Sequence, residues 1–548
     1  MELSRRSFLI LTGAGAAVGA TAGSVFAASP SEAASPAGDV VGKITVGYQG
    51  WFACIGDGAP INGWWHWSQN WGQPPSPTNN AIKAWPDMRE YAKGYQTAYA
   101  NLNGGSPATL FSSYDQQSVN THFLWMQQNG CETAALQRFN PNSSEGPTRD
   151  AMATKVRSAA EAYGRKFYIM YDVSGWTNMQ SEIKTDWTSK MSALTASAAY
   201  ARQNGKPVVG IWGFGFNDAN HPWGAAACLD VVTWFKGQGC YVMGGTPTYW
   251  RTGVNDSRAG YITVYHAFNM ISPWMVGRIG TAADSDSFYT NVNVGDQADC
   301  NANGIDYQPC VLPGDLSARQ RAHGDFMWRQ FYNMVRVGAQ GIYISMFDEY
   351  GEGNQIAKTA ENASMVPAGS GLWALDEDGT ACSSDYYLRL TADGGRMLKG
   401  QLALTASRPT LTTVGTATTV VSLRSLANNM IVTADNAGAS PLIANRTAIG
   451  TWEQFDLLNV SSGNIALRAH ANNMIVTADN AGASPLIANR TAIGTWETFQ
   501  LIRNSNGTVS LFALADSRYV TAENAGASAL IANRTAIGTW EQFDLITG

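Results

Sequence analysis

Residues 427–453 read ANNMIVTADNAGASPLIANRTAIGTWE, and the same stretch returns unchanged at 471–497. A third, slightly altered copy follows, so Trp452, Trp496 and Trp540 recur with a period of 44 residues. Each copy contains short β-type runs separated by Asn-Ala-Gly and Ile-Gly-Thr turns. A repeat of this length can build an open solenoid or a closed array. Three copies without a divergent cap predict closure about a threefold axis, as in a β-trefoil.

The repeats divide the chain into two folded regions. They occupy residues 417–548, and a Thr-, Ala- and Ser-rich stretch at 401–416 is predicted to be a linker. Upstream, residues 39–400 alternate apolar β-type runs with amphipathic helical segments, which indicates an α/β domain with a parallel sheet. The three predicted repeats span about 417–460, 461–504 and 505–548.

Eight strands are predicted within the α/β domain, and eight parallel strands with helices between them form a (β/α)8 barrel of the TIM type. The predicted strands are Ile44–Tyr48, Thr133–Gln137, Phe167–Tyr171, Val208–Trp212, Tyr241–Gly244, Tyr261–His266, a strand near Cys310–Leu312, and Gly341–Phe347. The predicted helices include Arg149–Tyr163, Lys184–Asn204, Ala225–Gln238 and Ser317–Val337. In such a barrel the chemistry lies where strands end and βα loops begin.

The composition favours a carbohydrate-binding protein over other classes. Of the 548 residues 14% are charged and 45% hydrophobic, and the chain contains 19 Trp, 21 Tyr and 56 Gly. Many aromatic rings among few charges suit sugar binding, because sugar C–H faces stack on flat rings; the alternative is a large aromatic core. The net charge of −6 and the pI near 5.6 favour neither nucleic acid nor an anionic membrane surface.

The N-terminus has the pattern of an export signal. A paired arginine, Arg5-Arg6, precedes an apolar Gly/Ala-rich run from Leu9 to Phe26, and small residues follow. Residues 1–38 are therefore predicted to be a twin-arginine signal peptide with a disordered lead-in, and the protein is expected to be secreted. The rest of the sequence has no apolar stretch long enough to predict a transmembrane helix.

Seven cysteines lie between the signal and the repeats. Disulfides are permitted outside the cytoplasm, and Cys300–Cys310 and Cys228–Cys240 are close enough in sequence to pair. No cysteine or histidine cluster has zinc spacing. The segment from Asp299 resembles the start of a calcium loop, but its twelfth position is Cys310, so a disulfide-closed loop is the better interpretation. We predict no metal and no cofactor.

The sharpest candidate site follows the last predicted strand, where Asp348, Glu349 and Glu352 fall within five residues. Two carboxyl groups at a barrel mouth can cleave a glycosidic bond, one as acid on the leaving oxygen and the other as base or nucleophile. Neighbouring charge and burial can separate their pKa values. The alternative is a solvated acidic loop or an acidic helix N-terminus.

Other candidates lie at or near the ends of predicted strands. Asp172 could supply a third catalytic carboxylate, or could cap the turn before Ser174-Gly175. His266 could bind sugar hydroxyls or be a satisfied barrel residue, and Arg251 could clamp substrate or pair with an acid. The aromatic rings could be stacking platforms or core residues. The predicted substrate-binding residues are Asp348, Tyr48, Trp51, Trp212, Trp250, Arg251 and His266.

The segment FDEYGEGNQI at 347–356 resembles the catalytic motif of glycoside hydrolase family 99 and the related family 71, where Asn-Glu-Trp-His-Glu-Gly-Thr-Gln-Ile is typical. The opening VGYQGWF at 46–52 and the later WWHW at 64–67 resemble bacterial family 71/99-like proteins, some labelled xylosidase/arabinosidase. The resemblance covers about residues 40–360 and departs from the family at Asp348, Tyr350 and Gly351.

The resemblance implies endo-acting, retaining cleavage of α-linked glycans. Glu349 and Glu352 fall on the family's two catalytic glutamates, and Gly353, Gln355 and Ile356 also match. The implied chemistry uses the sugar's own 2-hydroxyl, with Glu349 as the base on that hydroxyl and Glu352 as the acid on the leaving group.

The repeats resemble the fascin-like trefoils attached to secreted bacterial hydrolases, through GTWEQF and YVTAEN. The predicted sugar-binding residues are Trp452, Glu453, Trp496, Glu497, Trp540 and Glu541, with a ring for stacking and a carboxylate for hydroxyls in each lobe. The alternative places tryptophan in the interior and glutamate on the surface. In that case the acids before Asn-Ala-Gly are the candidates, namely Asp435, Asp479 and Glu523.

The sequence therefore predicts a secreted, monomeric glycoside hydrolase that acts on a polysaccharide and is anchored by its repeats. The competing hypothesis is a non-catalytic carbohydrate-binding protein whose barrel is inactive. The presence of both candidate glutamates favours the enzyme.

Overall fold

The computed structural model describes residues 35–413, 417–461, 464–490 and 493–547. The predicted export signal lies outside these residues, apart from the end of its lead-in. No helix in the described ranges is long and apolar enough to cross a membrane.

The N-terminal domain is built on a curled sheet of parallel strands. The strands are Ile44–Tyr48, Thr133–Arg138, Lys166–Asp172, Lys206–Trp212, Tyr241–Thr246, Met270–Pro273, the pair Asp306–Tyr307 and Cys310–Val311, and Ile342–Ile344. Each strand pairs with its neighbours in sequence, and the first also pairs with the last. The strands are buried on both faces, which explains their nearly continuous apolar runs.

The seventh strand, in its two short pieces, completes the curl. The amide of Gln308 donates to Ile271 O of the sixth strand (2.8 Å), while Val311 O accepts from Ser345 N just after the eighth (2.9 Å). Residues 306–311 thus pair with the sixth strand on one side and with the eighth strand on the other. The sheet closes through them, as in the predicted TIM-type barrel.

Helices alternate with the strands on the outside. Pro147 lies in the first turn of Gly146–Ala162, and Asp325–Val337 ends at Gly338 in the left-handed conformation, so local sequence sets both boundaries. The described α-helices are Gln116–Gln128, Gly146–Ala162, Met179–Asp186, Ala225–Gly237, Ile262–Tyr265, Ala282–Phe288, Val294–Asn303, Asp325–Val337 and Tyr386–Leu398.

Two predicted elements are wrong. The segment Tyr261–His266 is not the sixth strand but contains the one-turn helix Ile262–Tyr265, in which Val264 and Tyr265 are buried; tertiary packing overrides its β-branched composition. The predicted helix Lys184–Asn204 breaks up after Asp186 into π- and 3₁₀-helical turns at 187–196, and a short strand, Arg202–Gln203, pairs with Lys206 and Pro207.

The predicted disulfides are also absent. All seven cysteines are buried free thiols, so neither Cys300–Cys310 nor Cys228–Cys240 is bonded. The helix Val294–Asn303 takes up the first five positions of the calcium-like segment, 299–303, and ends at Gly304 in the left-handed conformation. In this part of the chain a regular helix cap, rather than a disulfide, closes the loop.

The stretch between the two folded regions packs against the barrel helices as far as it is described. Thr410 Oγ1 donates to Asp393 (2.7 Å), and Trp328 Nε1 donates to Thr405 O (3.1 Å). Residues 401–413 therefore have side-chain and backbone contacts of their own.

The C-terminal domain is a closed antiparallel β-barrel with additional hairpins. Its strands are Ala417–Ser425, Ile431–Ala434, Leu442–Arg446, Phe455–Ser461, Asn464–Ala469, Ile475–Ala478, Leu486–Arg490, Phe499–Arg503, Val509–Ala513, Arg518–Ala522, Leu530–Arg534 and Phe543–Thr547. The first and fourth strands of each copy close a ring of six, in which the last strand pairs back to the first. The second and third strands of each copy form a hairpin, and the three hairpins contact one another.

Candidate active site

The acidic loop after the eighth strand is held in place by backbone hydrogen bonds and one buried arginine. Phe347 N donates to Gly47 O (2.8 Å), and Lys83 N donates to Tyr350 O (2.9 Å). The Arg321 guanidinium, 1% exposed, donates to the carbonyls of Gly353 (2.7 Å) and Gln355 (2.8 Å). This loop is therefore a rigid support at the barrel mouth.

Glu349 is a buried carboxylate held by an amide from the first strand. It is 3% exposed, and Gln49 Nε2 donates to its Oε2 at 3.1 Å. A Cβ atom at Gly351 would lie 3.0 Å from Glu349 Oε1, so the glycine leaves room beside the carboxylate. Burial and the hydrogen bond from Gln49 fix the position of this carboxylate.

Asp348 binds the backbone that follows the first strand, and its predicted role in substrate binding stays a prediction. It is fully buried, and its two oxygens accept the amide hydrogens of Gln49 and Gly50, each at 2.8 Å. Burial raises its pKa to about 6 against the opposing effect of those hydrogen bonds. Asp348 thus positions Gln49, which in turn holds Glu349.

Glu352 lies three residues further on and is partly exposed. The next residue, Gly353, has φ 72°, and a Cβ there would lie 3.0 Å from Asp315 Oδ1. Asp315 forms an ion pair with Lys83. A carboxyl group in contact with solvent, beside a buried one, can exchange a proton with a leaving group.

A polar chain joins the ends of the third and fourth strands. Ser174 Oγ donates to Asp172 Oδ1 (2.6 Å) and lies 3.0 Å from His221 Nε2, while His221 Nδ1 lies 2.7 Å from Asp218 Oδ1. Asp172 is fully buried and also accepts from Ser174 N (3.1 Å), which is the turn-capping arrangement. These contacts support the turn-capping interpretation of Asp172, and its predicted catalytic role stays a prediction.

Two groups of aromatic side chains lie at the mouth. Trp51 stacks on His66 with centroids 3.7 Å apart, and it lies 6.0 Å from Phe139. Trp212, 8% exposed, meets Trp274 edge-on at 5.4 Å. Trp51 and Trp212 thus pack within aromatic groups, and the partly exposed Trp274 extends the second group towards solvent.

Four other predicted substrate-binding residues lie away from the mouth. Tyr48 is fully buried and hydrogen-bonded to His122 Nδ1 (2.8 Å), and Trp250 is 1% exposed. Arg251 pairs with Asp296 (3.2 Å) and His266 with Asp299 (2.7 Å), both acids of the outer helix Val294–Asn303. Burial and these ion pairs give the four residues structural contacts, and their predicted contact with substrate stays a prediction. The described residues include no group of three or more His, Cys, Asp or Glu able to hold a metal ion.

Sequence reasoning assigned no role to Gln49, Arg321, His221 or Asp218. Gln49 follows the first strand directly, so the rule that chemistry lies at strand ends could have selected it. The other three lie in irregular loops, and nothing in their sequence context indicates their contacts.

In the C-terminal domain Trp452 and Trp496 are exposed, Trp540 is partly exposed, and the adjacent glutamates are buried. Trp452 and Trp496 are each 38% exposed, whereas Glu453, Glu497 and Glu541 are 6%, 6% and 4% exposed. The Oε2 atom of each glutamate accepts the backbone N–H of the glycine three residues earlier, at 2.8, 2.8 and 2.7 Å. The glutamates therefore cap short turns, and their predicted contact with sugar stays a prediction.

Comparison with known proteins gives one family match and several similar structures. Residues 416–514 match a family described only as a domain of unknown function, DUF7910. A comparison with curated proteins finds no match. The GH99 endo-alpha-mannosidase from Bacteroides thetaiotaomicron is 14% identical, over 66% of this chain and 98% of that chain, with a TM-score of 0.48.

Two further structures are each similar to about a quarter of this chain. The designed three-fold symmetric protein ThreeFoil is 20% identical, over 23% of this chain and 97% of that chain, with a TM-score of 0.22. The exo-beta-1,3-galactanase 1,3Gal43A from Clostridium thermocellum is 13% identical, over 26% of this chain and 33% of that chain, also with a TM-score of 0.22.

Proposed function

We propose that the protein is a secreted glycoside hydrolase that cleaves an α-linked polysaccharide or glycan, acting within the chain and with retention. The observation that carries the proposal is the pair of carboxyl groups after the eighth strand. Glu349 is buried and held by Gln49, and Glu352 lies three residues away in partial contact with solvent. Two carboxyl groups in unlike surroundings can divide the roles of base and acid.

The division of roles follows from these surroundings. Glu349, kept in position through Gln49, removes the proton of the sugar 2-hydroxyl, and that oxygen displaces the leaving group at the anomeric carbon. Glu352 gives its proton to the departing oxygen. Water then attacks the same carbon from the face that the leaving group had occupied and breaks its bond to the 2-oxygen. Glu352 takes a proton from this water and Glu349 returns its proton to the 2-oxygen, so two inversions give retention and both carboxyl groups are restored.

The C-terminal domain is proposed to hold the enzyme on its polymer. Its six-stranded ring and three hairpins are the arrangement expected of a β-trefoil, and each copy presents a tryptophan at the surface. Several weak sites on one rigid body give avidity for a polymer. The twin-arginine pattern at Arg5-Arg6 supports export.

The test uses Glu349→Gln and Glu352→Gln, with Glu361→Gln as a matched control on a loop carboxylate paired with Arg89. Release of reducing ends is measured on a panel of polysaccharides. Each catalytic substitution is expected to lower turnover by about 10²–10⁴-fold, the usual contribution of general acid–base assistance. The control is expected to retain activity.

Leaving groups separate the two roles. Glu352→Gln is expected to regain part of its activity on aryl glycosides with good leaving groups, while Glu349→Gln does not, because only the acid acts on the leaving oxygen. Wild-type turnover in both variants would refute the assignment. If the wild type binds polysaccharide but releases no reducing ends from any substrate, the protein is the non-catalytic binding protein of the competing hypothesis.

A further inference from the structure

The three C-terminal lobes have the same strands, but the hydrogen bonds of the arginine at the equivalent position differ between them. The first two lobes share one pattern and the third lobe has another. In the first lobe Arg446 Nη2 donates to Asp435 Oδ1 and Arg446 Nη1 donates to Asn445 Oδ1, both at 2.6 Å. The second lobe repeats these bonds and distances with Arg490, Asp479 and Asn489. One arginine thus holds an acid and an amide side by side, and its Nε lies 3.9 Å from Oε1 of the glutamate that follows the tryptophan of its lobe.

The third lobe has glutamate in place of the aspartate. Arg534 Nη1 still donates to Asn533 Oδ1 at 2.6 Å, and its Nη2 donates to Glu523 Oε1 at 2.9 Å. The second glutamate oxygen, Oε2, now accepts from Asn533 Nδ2 at 2.9 Å. The added methylene, about one C–C bond of 1.5 Å, brings the acid within reach of the amide.

The hydrogen bond from Asn533 to Glu523 occupies the carboxylate oxygen and the amide N–H group that a sugar would need. In the first lobe Asp435 Oδ2 and Asn445 Nδ2 have no hydrogen-bond partner among the described residues, and both side chains reach the surface. A carboxylate oxygen beside an amide N–H group can accept from one hydroxyl and donate to the next. Adjacent hydroxyls on a neutral sugar ring have this pattern, and the Trp452 ring of the same lobe, 38% exposed, can stack on a sugar C–H face.

We propose that the first two lobes are equivalent binding sites for a neutral sugar with adjacent hydroxyls. In the third lobe the hydrogen bond from Asn533 to Glu523 blocks the corresponding site. This inference rests on the proposed role of the C-terminal domain in polysaccharide binding. On this inference the domain has two equal sugar sites, not three. The acid of each lobe, rather than the buried glutamate beside its tryptophan, selects the ligand.

The test measures retention of the full chain on starch granules, insoluble xylan, α-mannan and cellulose, using the polymer that retains the wild type best. Asp435→Ala and Asp479→Ala are each expected to weaken retention by about tenfold or more, because two linked sites become one. Glu523→Ala is the matched control, and its retention is expected to stay within about twofold of the wild type. The double variant Asp435→Ala/Asp479→Ala is expected to lose the contribution of the domain.

A gain of function completes the experiment. Adding Glu523→Asp to the double variant shortens the third acid to the length found in the other lobes, and retention is expected to recover to that of a single-site variant. Equal losses from all three single substitutions, no loss from the aspartate variants, or no recovery with Glu523→Asp would each overturn the inference while leaving polysaccharide binding in place. A wild type retained on none of the polymers would overturn the proposed role of the domain as well.

Discussion

The buried carboxyl group of Asp348 gives a sharp test of how the candidate site is held. Its pKa is raised from 3.8 to about 6 by burial, and its two oxygens accept the amide hydrogens of Gln49 and Gly50. The folded protein therefore binds this proton more tightly than the unfolded chain does. As the pH rises from 4 to 6, the unfolded state ionises first, and the contribution of Asp348 to the free energy of unfolding falls.

The size of this fall follows from the difference of about two pKa units. At 1.36 kcal/mol per unit, the contribution declines by about 3 kcal/mol over the whole titration and by about 2 kcal/mol between pH 4 and pH 7, because the unfolded chain is already partly ionised at pH 4. Asp348→Asn has no titrating group and lacks this decline. The free energy of unfolding of the wild type minus that of the variant is therefore expected to drop by about 2 kcal/mol between pH 4 and pH 7.

The assay is urea unfolding of both proteins at intervals from pH 4 to pH 7, followed by tryptophan fluorescence. Sixteen of the 19 tryptophans precede the repeats, so the emission reports mainly on the barrel. A difference between wild type and variant that is constant from pH 4 to pH 7 would refute the reasoning.

Asp150→Asn is the control, for which the difference in unfolding free energy is expected not to change between pH 4 and pH 7. Burial works against ionisation of Asp150, but hydrogen bonds from Lys190 and Arg138 keep its pKa below 3.8. Its stabilising contribution is present above pH 4 and is lost only as the pH falls below that value. The wild-type-minus-variant difference for Asp150→Asn is therefore expected to be flat between pH 4 and pH 7.

Three further predictions concern export and the C-terminal domain. Replacing Arg5 and Arg6 by Lys should retain the protein in the cytoplasm, because the export receptor recognises the arginine pair. Immunoblots of medium and cell fractions measure this retention, and unchanged secretion would contradict the prediction. Trp452→Ala with Trp496→Ala should reduce retention on polysaccharide without lowering the melting temperature, since both rings are exposed; pull-down and calorimetry check the two effects, and full retention would place the site elsewhere. Glu541→Gln should destabilise the C-terminal domain by about 1 kcal/mol, because it weakens the hydrogen bond that Glu541 accepts from Gly538 N. Sugar binding by the domain should stay unchanged. A loss of sugar binding at unchanged stability would show that Glu541 contacts sugar instead of capping the turn.

Much of the fold could be predicted because it is encoded in local patterns. Strands that are buried on both faces need apolar runs, and Ile44–Tyr48 was predicted with the bounds that the structure has. The period of the repeats predicted a closed threefold array, and the structure has a closed ring with three hairpins. The sixth strand was misplaced because Tyr261–His266 carries β-type residues, yet the packing of Val264 and Tyr265 selects a helical turn.

The sequence by itself determined which residues stand at the ends of strands, and it drew attention to Glu349 and Glu352. Only the tertiary structure decided where each of these side chains points. Asp348 and Glu349 are neighbours in sequence, but Asp348 points into the interior and binds two backbone amides, while Glu349 receives Gln49 from a strand 300 residues away. Side-chain direction depends on contacts between distant segments, and a hydrogen bond such as the one from Asn533 to Glu523 exists only once both hairpin strands are in register.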